Sequence, residues 1–157
     1  MHWSLSTEDR RTGWLDAMFH SRFRELLVHT MSRHGIICPT YCVMPDHIHL
    51  LLMGLRDTSD QMKAVSFLRR EAGVLLGPCR FQKQAFDHVL REKDRQRNAF
   101  QHVAYYILEN PVRSGAVASA EEYPFSGAAV AGYPRLDPRS REYWPVFWSI
   151  YEKLVET

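Results

Sequence analysis

Residues 42–54 read CVMPDHIHLLLMG, and the fold of the chain turns on how that stretch is laid down. After the turn formers Pro45 and Asp46, polar and aliphatic residues alternate from His47 and give way to an aliphatic run, the pattern of a core β-strand. Side chains on a strand alternate between its two faces. Ile48, Leu50 and Leu52 therefore point one way, into a core. His47 and His49 point together the other way, about 7 Å apart at the backbone. Burying a polar imidazole costs free energy unless it finds a partner, and two imidazoles on one face can converge on a single divalent cation. Taken alone, such a pair is equally explained by local hydrogen bonds on an exposed sheet face.

Outward from this strand the elements follow in a definite order. IICPTYCVM, residues 36–44, is β-branched and aromatic and forms a hairpin with 47–54. Pro39 inside it implies a sheet edge or a bulge. Upstream, Leu15, Met18, Phe19, Phe23, Leu26, Leu27 and Thr30 keep helical spacing, so a helix runs from about Asp16 to Arg33 and ends at Gly35. HWSLST, residues 2–7, reads as a short strand before it. Downstream, Ser59 is the expected N-cap of a helix reaching about Leu76, stopped by Gly77 and Pro78. FDHVLR, residues 86–91, reads as a fourth strand. A third long helix opens at Asp94 and ends at or before Asn110, because Pro111 follows. The order β-α-β-β-α-β defines an α+β fold, a ferredoxin-like split βαβ sandwich with an added C-terminal helix that carries tyrosines.

This domain is expected over residues 1–130. The segment from Gly115 to about Asp137 is rich in Ala, Gly and Pro and reads as loop. Residues 131–157 form a tail with a short aromatic helix near Pro145. Its Trp144, Phe147, Trp148, Tyr151 and Leu154 make one stripe that docks on the domain; base stacking is the less favoured use of these rings.

Composition bounds the possibilities. The 157 residues are 45% hydrophobic and 24% charged, enough for one domain with a real core. No apolar run approaches the ~20 residues that span a bilayer, and the start MHWSLSTEDRR has no basic-then-apolar leader pattern. Three cysteines without framework spacing imply reduced thiols and a cytoplasmic protein. The net charge is only +2. Its distribution is more telling: Arg69, Arg70, Arg80, Lys83, Arg91, Lys93, Arg95 and Arg97 share a window in which the acids are Glu71, Asp87, Glu92 and Asp94.

A metal held by His47 and His49 needs further ligands. Cys38 and Cys42 lie four residues apart on a strand, about 13 Å between backbones, too far to grip one ion together with both histidines. A histidine triad would need a third histidine at position 51, where Leu51 stands. The remaining ligand must come from elsewhere. On the third helix, Phe100, Val103, Ala104, Ile107 and Pro111 define the apolar face. Tyr106 and Asn110, spaced i and i+4, border it, and Tyr105 and Glu109 are spaced likewise. Glu109 is the stronger ligand by chemistry, but it falls almost opposite the apolar face; Asn110 is better placed. A tyrosine beside a divalent cation is a potential nucleophile toward phosphate.

Here YCVMPDHIHLLL, residues 41–52, resembles the histidine–hydrophobic–histidine (HUH) signature of single-tyrosine transposases. YILENPVRSGAV, residues 106–117, followed by EEYPFSG, residues 121–127, is similar to the tyrosine helix and downstream segment of REP-associated tyrosine transposases. The resemblance covers about residues 2–127 and implies particular roles: His47 and His49 as metal ligands for Mg²⁺ or Mn²⁺, Asn110 as the third metal-binding position, and Tyr106 as nucleophile. It implies cleavage of single-stranded DNA near hairpins through a 5′-phosphotyrosine link that leaves a free 3′-hydroxyl, in a bacterial, nucleoid-associated setting. Arg69, Arg70, Arg91, Arg95 and Arg97 are the expected DNA contacts. Two other readings of the same residues are a non-catalytic hairpin-binding protein and a metal phosphoesterase that uses water. Whether the chain is a monomer or homodimer, and whether the tyrosine serves its own subunit or a partner's, is left open by the sequence.

Overall fold

A computed structural model describes residues 1–88 and 97–157. Five strands, β1 (His2–Ser6), β2 (Ile36–Val43), β3 (His47–Gly54), β4 (Phe86–His88) and β5 (Ser126–Ala129), form one sheet in the order β4-β1-β3-β2-β5. Every neighbouring pair is antiparallel. The helices are α1 (Ala17–His34), α2 (Gln61–Gly73), α3 (Arg97–Leu108), the short α4 (Asn110–Arg113) and α5 (Tyr143–Glu156). The first four strands stand in the 4-1-3-2 order of a split βαβ, with β3 inserted between β1 and β2. The ferredoxin-like expectation holds.

The alternation on β3 sorts the core into two layers. Ile48, Leu50 and Leu52 are fully buried with Phe23, Leu27 and Met31 of α1 and Val65 and Leu68 of α2. Leu51 lies on the opposite face with Phe100, Ala104 and Ile107 of α3 and Tyr143, Phe147 and Trp148 of α5. His47 and His49 share the Leu51 face by strand parity, so the histidines and α3 are on one side of the sheet.

Local chemistry sets the helix ends. The Asp16 carboxylate accepts the Phe19 amide at 2.7 Å, and Gly35 takes a left-handed conformation, φ 61°, just past α1, as a C-terminal glycine does. The α2 N-cap is Asp60 rather than Ser59: its carboxylate accepts the Lys63 amide at 3.0 Å. Ser59 is committed elsewhere, its hydroxyl donating to the Gly35 carbonyl at 2.6 Å and accepting the Arg56 amide. Past Gly73 the chain tightens into a 3₁₀ turn over Val74–Leu76, short of the uninterrupted helix expected. Asp94, and the end of the fourth strand beyond His88, lie outside the described residues.

Pro39 marks a bulge and not an edge. β2 is flanked by β3 and β5, and its register shifts on both sides in this region, between Ile37 and Thr40 and between Cys38 and Tyr41. The bulge reverses the facing of later residues: Ile37 and Cys42 lie in the α3 layer, whereas Cys38, Tyr41 and Val43 lie in the α1 layer. The Tyr143 hydroxyl donates to the Pro39 carbonyl at 2.5 Å, which ties α5 to the bulge. Tyr143→Phe strands that buried carbonyl, and we expect it to cost about 1–3 kcal/mol, read as a lower denaturant midpoint with an unchanged slope.

β5 corrects the reading of residues 115–137 as loop. SGAA has no β-branched or aromatic residue, so propensity gave no sign of a strand. Tertiary context makes it: the outer edge of β2 supplies the pairing, and Gly127 lets the backbone approach closely. A Cβ there would stand 2.9 Å from the Tyr41 hydroxyl and 3.0 Å from an Arg24 nitrogen. Among the described residues no helix is long and apolar enough to cross a membrane.

Candidate active site

The two strand histidines meet ring to ring. His47 Nε2 and His49 Nε2 are 3.0 Å apart, with the ring planes nearly perpendicular at 89°. Each outer nitrogen is held as well. The His47 Nδ1–H donates to Asp46 Oδ1 at 2.6 Å, and Asp46 also takes the Arg10 guanidinium at 3.4 Å. His49 Nδ1 pairs with His2 Nε2 at 3.0 Å. His2 comes from β1, where Ser4 stands opposite His49 and His2 opposite Leu51. It is a diagonal cross-strand neighbour on the same face.

The inner nitrogens converge and the outer nitrogens orient the rings, an arrangement that could hold a cation. Two ligand nitrogens each about 2.1 Å from one ion and at right angles would stand about 3.0 Å apart, which matches the observed pair. His2 and Asp46 occupy the outer nitrogens and do not complete the set. Among the described residues no group of three or more His, Cys, Asp or Glu side chains is arranged to hold a metal. Burial, then the charges of His47, His2, Arg113 and Arg10, push the His49 imidazole down to about 3. It is neutral, as a ligand must be, throughout the physiological range.

The cysteines are not part of this set. Cys38 lies in the opposite layer, its thiol pushed up to about 12 by burial. Cys42 faces the α3 layer beside His49, but burial raises its thiol to about 11 and holds it protonated.

Sequence reasoning expected the third helix to end before Pro111, and α3 does stop at Leu108. Helical geometry then resumes at once in α4, with Pro111 in its first turn. Pro111 has no N–H to offer the Ile107 carbonyl. Asn110 makes up the deficit: its Nδ2 donates to the Ile107 carbonyl at 3.1 Å and more weakly to the Tyr106 carbonyl at 3.4 Å. With Nδ2 turned onto the backbone, Oδ1 is the atom of Asn110 suited to a metal.

Tyr106 is 53% exposed and Tyr105 64%. The Arg113 guanidinium lies over the Tyr106 ring, 3.9 Å from its centroid. The charge of Arg113 also acts on His49 and on Cys42. Among the described residues no hydrogen bond joins Tyr106 to either imidazole.

The expected DNA contacts are dispersed. Arg69 donates to the Gln82 carbonyl at 3.1 Å. Arg70 pairs with Glu71 at 2.8 Å and lies over Phe67. Both belong to α2, across the sheet from α3. Arg97 pairs with Glu152 at 2.6 Å and lies over Trp148, joining α3 to α5. Arg91 and Arg95 lie outside the described residues. The sequence reading missed His2, Asp46 and Arg113. Asp46 adjoins the motif and was legible as a turn residue only; His2 needed the β1–β3 register.

The fold and the site together define a class: a split βαβ sheet that presents a braced imidazole pair on its central strand, on the face crossed by a helix bearing a half-exposed tyrosine. Comparison with known proteins carries this further. No family model matches the chain. It is 22% identical to a putative REP-associated tyrosine transposase of Haemophilus influenzae, over 78% of this chain and 76% of the relative. Its fold is similar to that of a REP-associated tyrosine transposase solved bound to a REP hairpin, with a TM-score of 0.68 at 19% identity, over 80% of this chain and 73% of the other. The resemblance read from the motifs is thus borne out in sequence similarity and in fold.

Proposed function

We propose that this protein is a metal-dependent DNA strand transesterase of the REP-associated tyrosine transposase kind, acting in the bacterial cytoplasm on single-stranded DNA beside a hairpin. The observation that carries the reading is the 3.0 Å approach of the His47 and His49 Nε2 atoms on the sheet face that α3 crosses with Tyr106. His47 and His49, with Asn110 Oδ1, would hold Mg²⁺ or Mn²⁺. When bound, the ion supplies Lewis-acid polarisation of the scissile phosphate.

The chain's own residues do the rest. Basic side chains bind the phosphate backbone of a hairpin and place the adjoining unpaired bases, so affinity falls steeply with salt. The Tyr106 phenol oxygen forms a bond to phosphorus as the bond to the 3′ oxygen breaks. The phenolic proton passes to solvent and the departing 3′ oxygen takes one up, so charge and protons balance. The phosphotyrosine ester keeps the phosphodiester's energy, and another 3′-hydroxyl can reverse the step and join strands.

The test is incubation of the protein with Mn²⁺ and hairpin-bearing single-stranded oligonucleotides drawn from repeats flanking its own gene. The reading expects a covalent protein–DNA band that chelation with EDTA prevents. Hairpin binding with no cleavage would instead favour a non-catalytic hairpin-binding protein. Turnover with no covalent band would favour a phosphoesterase that uses water.

A further inference from the structure

Tyr106 needs something to hold it. A half-exposed tyrosine on a helix surface has several rotamers open to it, and in-line attack on phosphorus tolerates little misplacement. We propose that Arg113 is the positioning residue for Tyr106, holding its ring in one orientation; this rests on the transesterase reading above.

Two contacts carry it. The Arg113 guanidinium lies flat enough over the ring to bring Cζ to 3.9 Å from the centroid, inside the range of a cation–π contact. One of its terminal nitrogens donates to the Tyr106 main-chain carbonyl at 2.8 Å. A single side chain thus holds both the backbone and the ring of one residue, which restricts rotation about the bonds between them. Arg113 reaches Tyr106 because the chain stays helical through the Pro111 break, and seven residues make about two turns. Tyr105 is the contrast. Among the described residues no cation and no ring packs on it, although it is the more exposed of the two. The same device therefore distinguishes the working tyrosine from its neighbour.

Two measurements test this on the full chain. In single-turnover reactions with Mn²⁺, Arg113→Ala should form the covalent adduct about 10–100-fold more slowly at saturating hairpin oligonucleotide. The half-saturating DNA concentration should move by less than about threefold, since the loss is not one of affinity. Arg113→Lys returns the charge without the plane or the fork, and should stay close to Arg113→Ala. Full recovery by lysine, an unchanged rate in Arg113→Ala, or a loss confined to DNA affinity would each overturn the proposal. The second measurement does not depend on chemistry at all. In protein labelled with 3-fluorotyrosine, the ¹⁹F signal that Tyr106→Phe removes should shift and narrow in Arg113→Ala while the other tyrosine signals stay in place. An unmoved signal overturns the proposal even if no adduct ever forms. Absence of adduct from the unmodified chain would overturn the transesterase reading, and the fluorine spectrum would still decide the role of Arg113.

Discussion

Tyr106→Phe should slow formation of the covalent protein–DNA adduct by at least about a thousandfold and leave hairpin affinity within about twofold. The change deletes one oxygen. The ring remains, with its face available to Arg113 at the observed 3.9 Å, and so does the carbonyl that takes the Arg113 hydrogen bond. Tyr106 is half exposed, so the fold loses no buried hydrogen bond and stability should change by no more than about 0.5 kcal/mol. Only the phenol oxygen goes. Tyr105→Phe is the matched control and should form adduct at the rate of the unmodified protein. Denaturing gels of labelled oligonucleotide with each variant provide the measurement. Adduct from Tyr106→Phe, or its loss in Tyr105→Phe alone, would reassign the nucleophile. Strand cleavage that survives Tyr106→Phe without adduct would instead make water the attacking group.

Much of this architecture could be read from local pattern, and the remainder could not for a physical reason. Parity on a strand is local, so the shared face of His47 and His49 follows from their spacing alone. Helical periodicity is local too, which is why Phe100, Ala104 and Ile107 were legible as the buried side of α3. What periodicity does not supply is register between segments distant in the chain. His2 pairs with His49 across 47 residues, and only the β1–β3 ladder brings them together. β5 is the extreme instance. Its SGAA carries no strand propensity, and its existence is dictated by the free edge of β2 and the space Gly127 leaves for Tyr41 and Arg24. Arg113 stood inside the motif that carried the resemblance, yet its contact with Tyr106 depends on helical geometry persisting beyond Pro111, where the sequence rule foresees a stop. In the helix caps the competition was between neighbours: Asp60 caps α2, while the Ser59 oxygen accepts the Arg56 amide and its hydroxyl donates to the Gly35 carbonyl.

Replacing both strand histidines, His47→Ala with His49→Ala, should eliminate Mn²⁺-dependent adduct formation to the same degree as loss of the phenol, while hairpin binding persists. Two nitrogens 3.0 Å apart are either a hydrogen-bonded pair or adjacent ligands of one ion, and the bracing of both outer nitrogens by Asp46 and His2 suits the second. His49 does not compete with protons for the ion, because burial and the surrounding cations push its imidazole down to about 3. The bracing partners should matter less than the ligands. His2→Ala leaves both inner nitrogens in place and frees only the orientation of the His49 ring, so Mn²⁺ affinity should weaken by about 10–100-fold and the lost adduct should return at high Mn²⁺. The double alanine variant should not be rescued by any Mn²⁺ concentration. Titrating Mn²⁺ by electron paramagnetic resonance, with the adduct assay in parallel, separates these outcomes. If the double variant binds Mn²⁺ as the unmodified chain does, the histidines are not ligands, and the 3.0 Å contact is a hydrogen bond and nothing more.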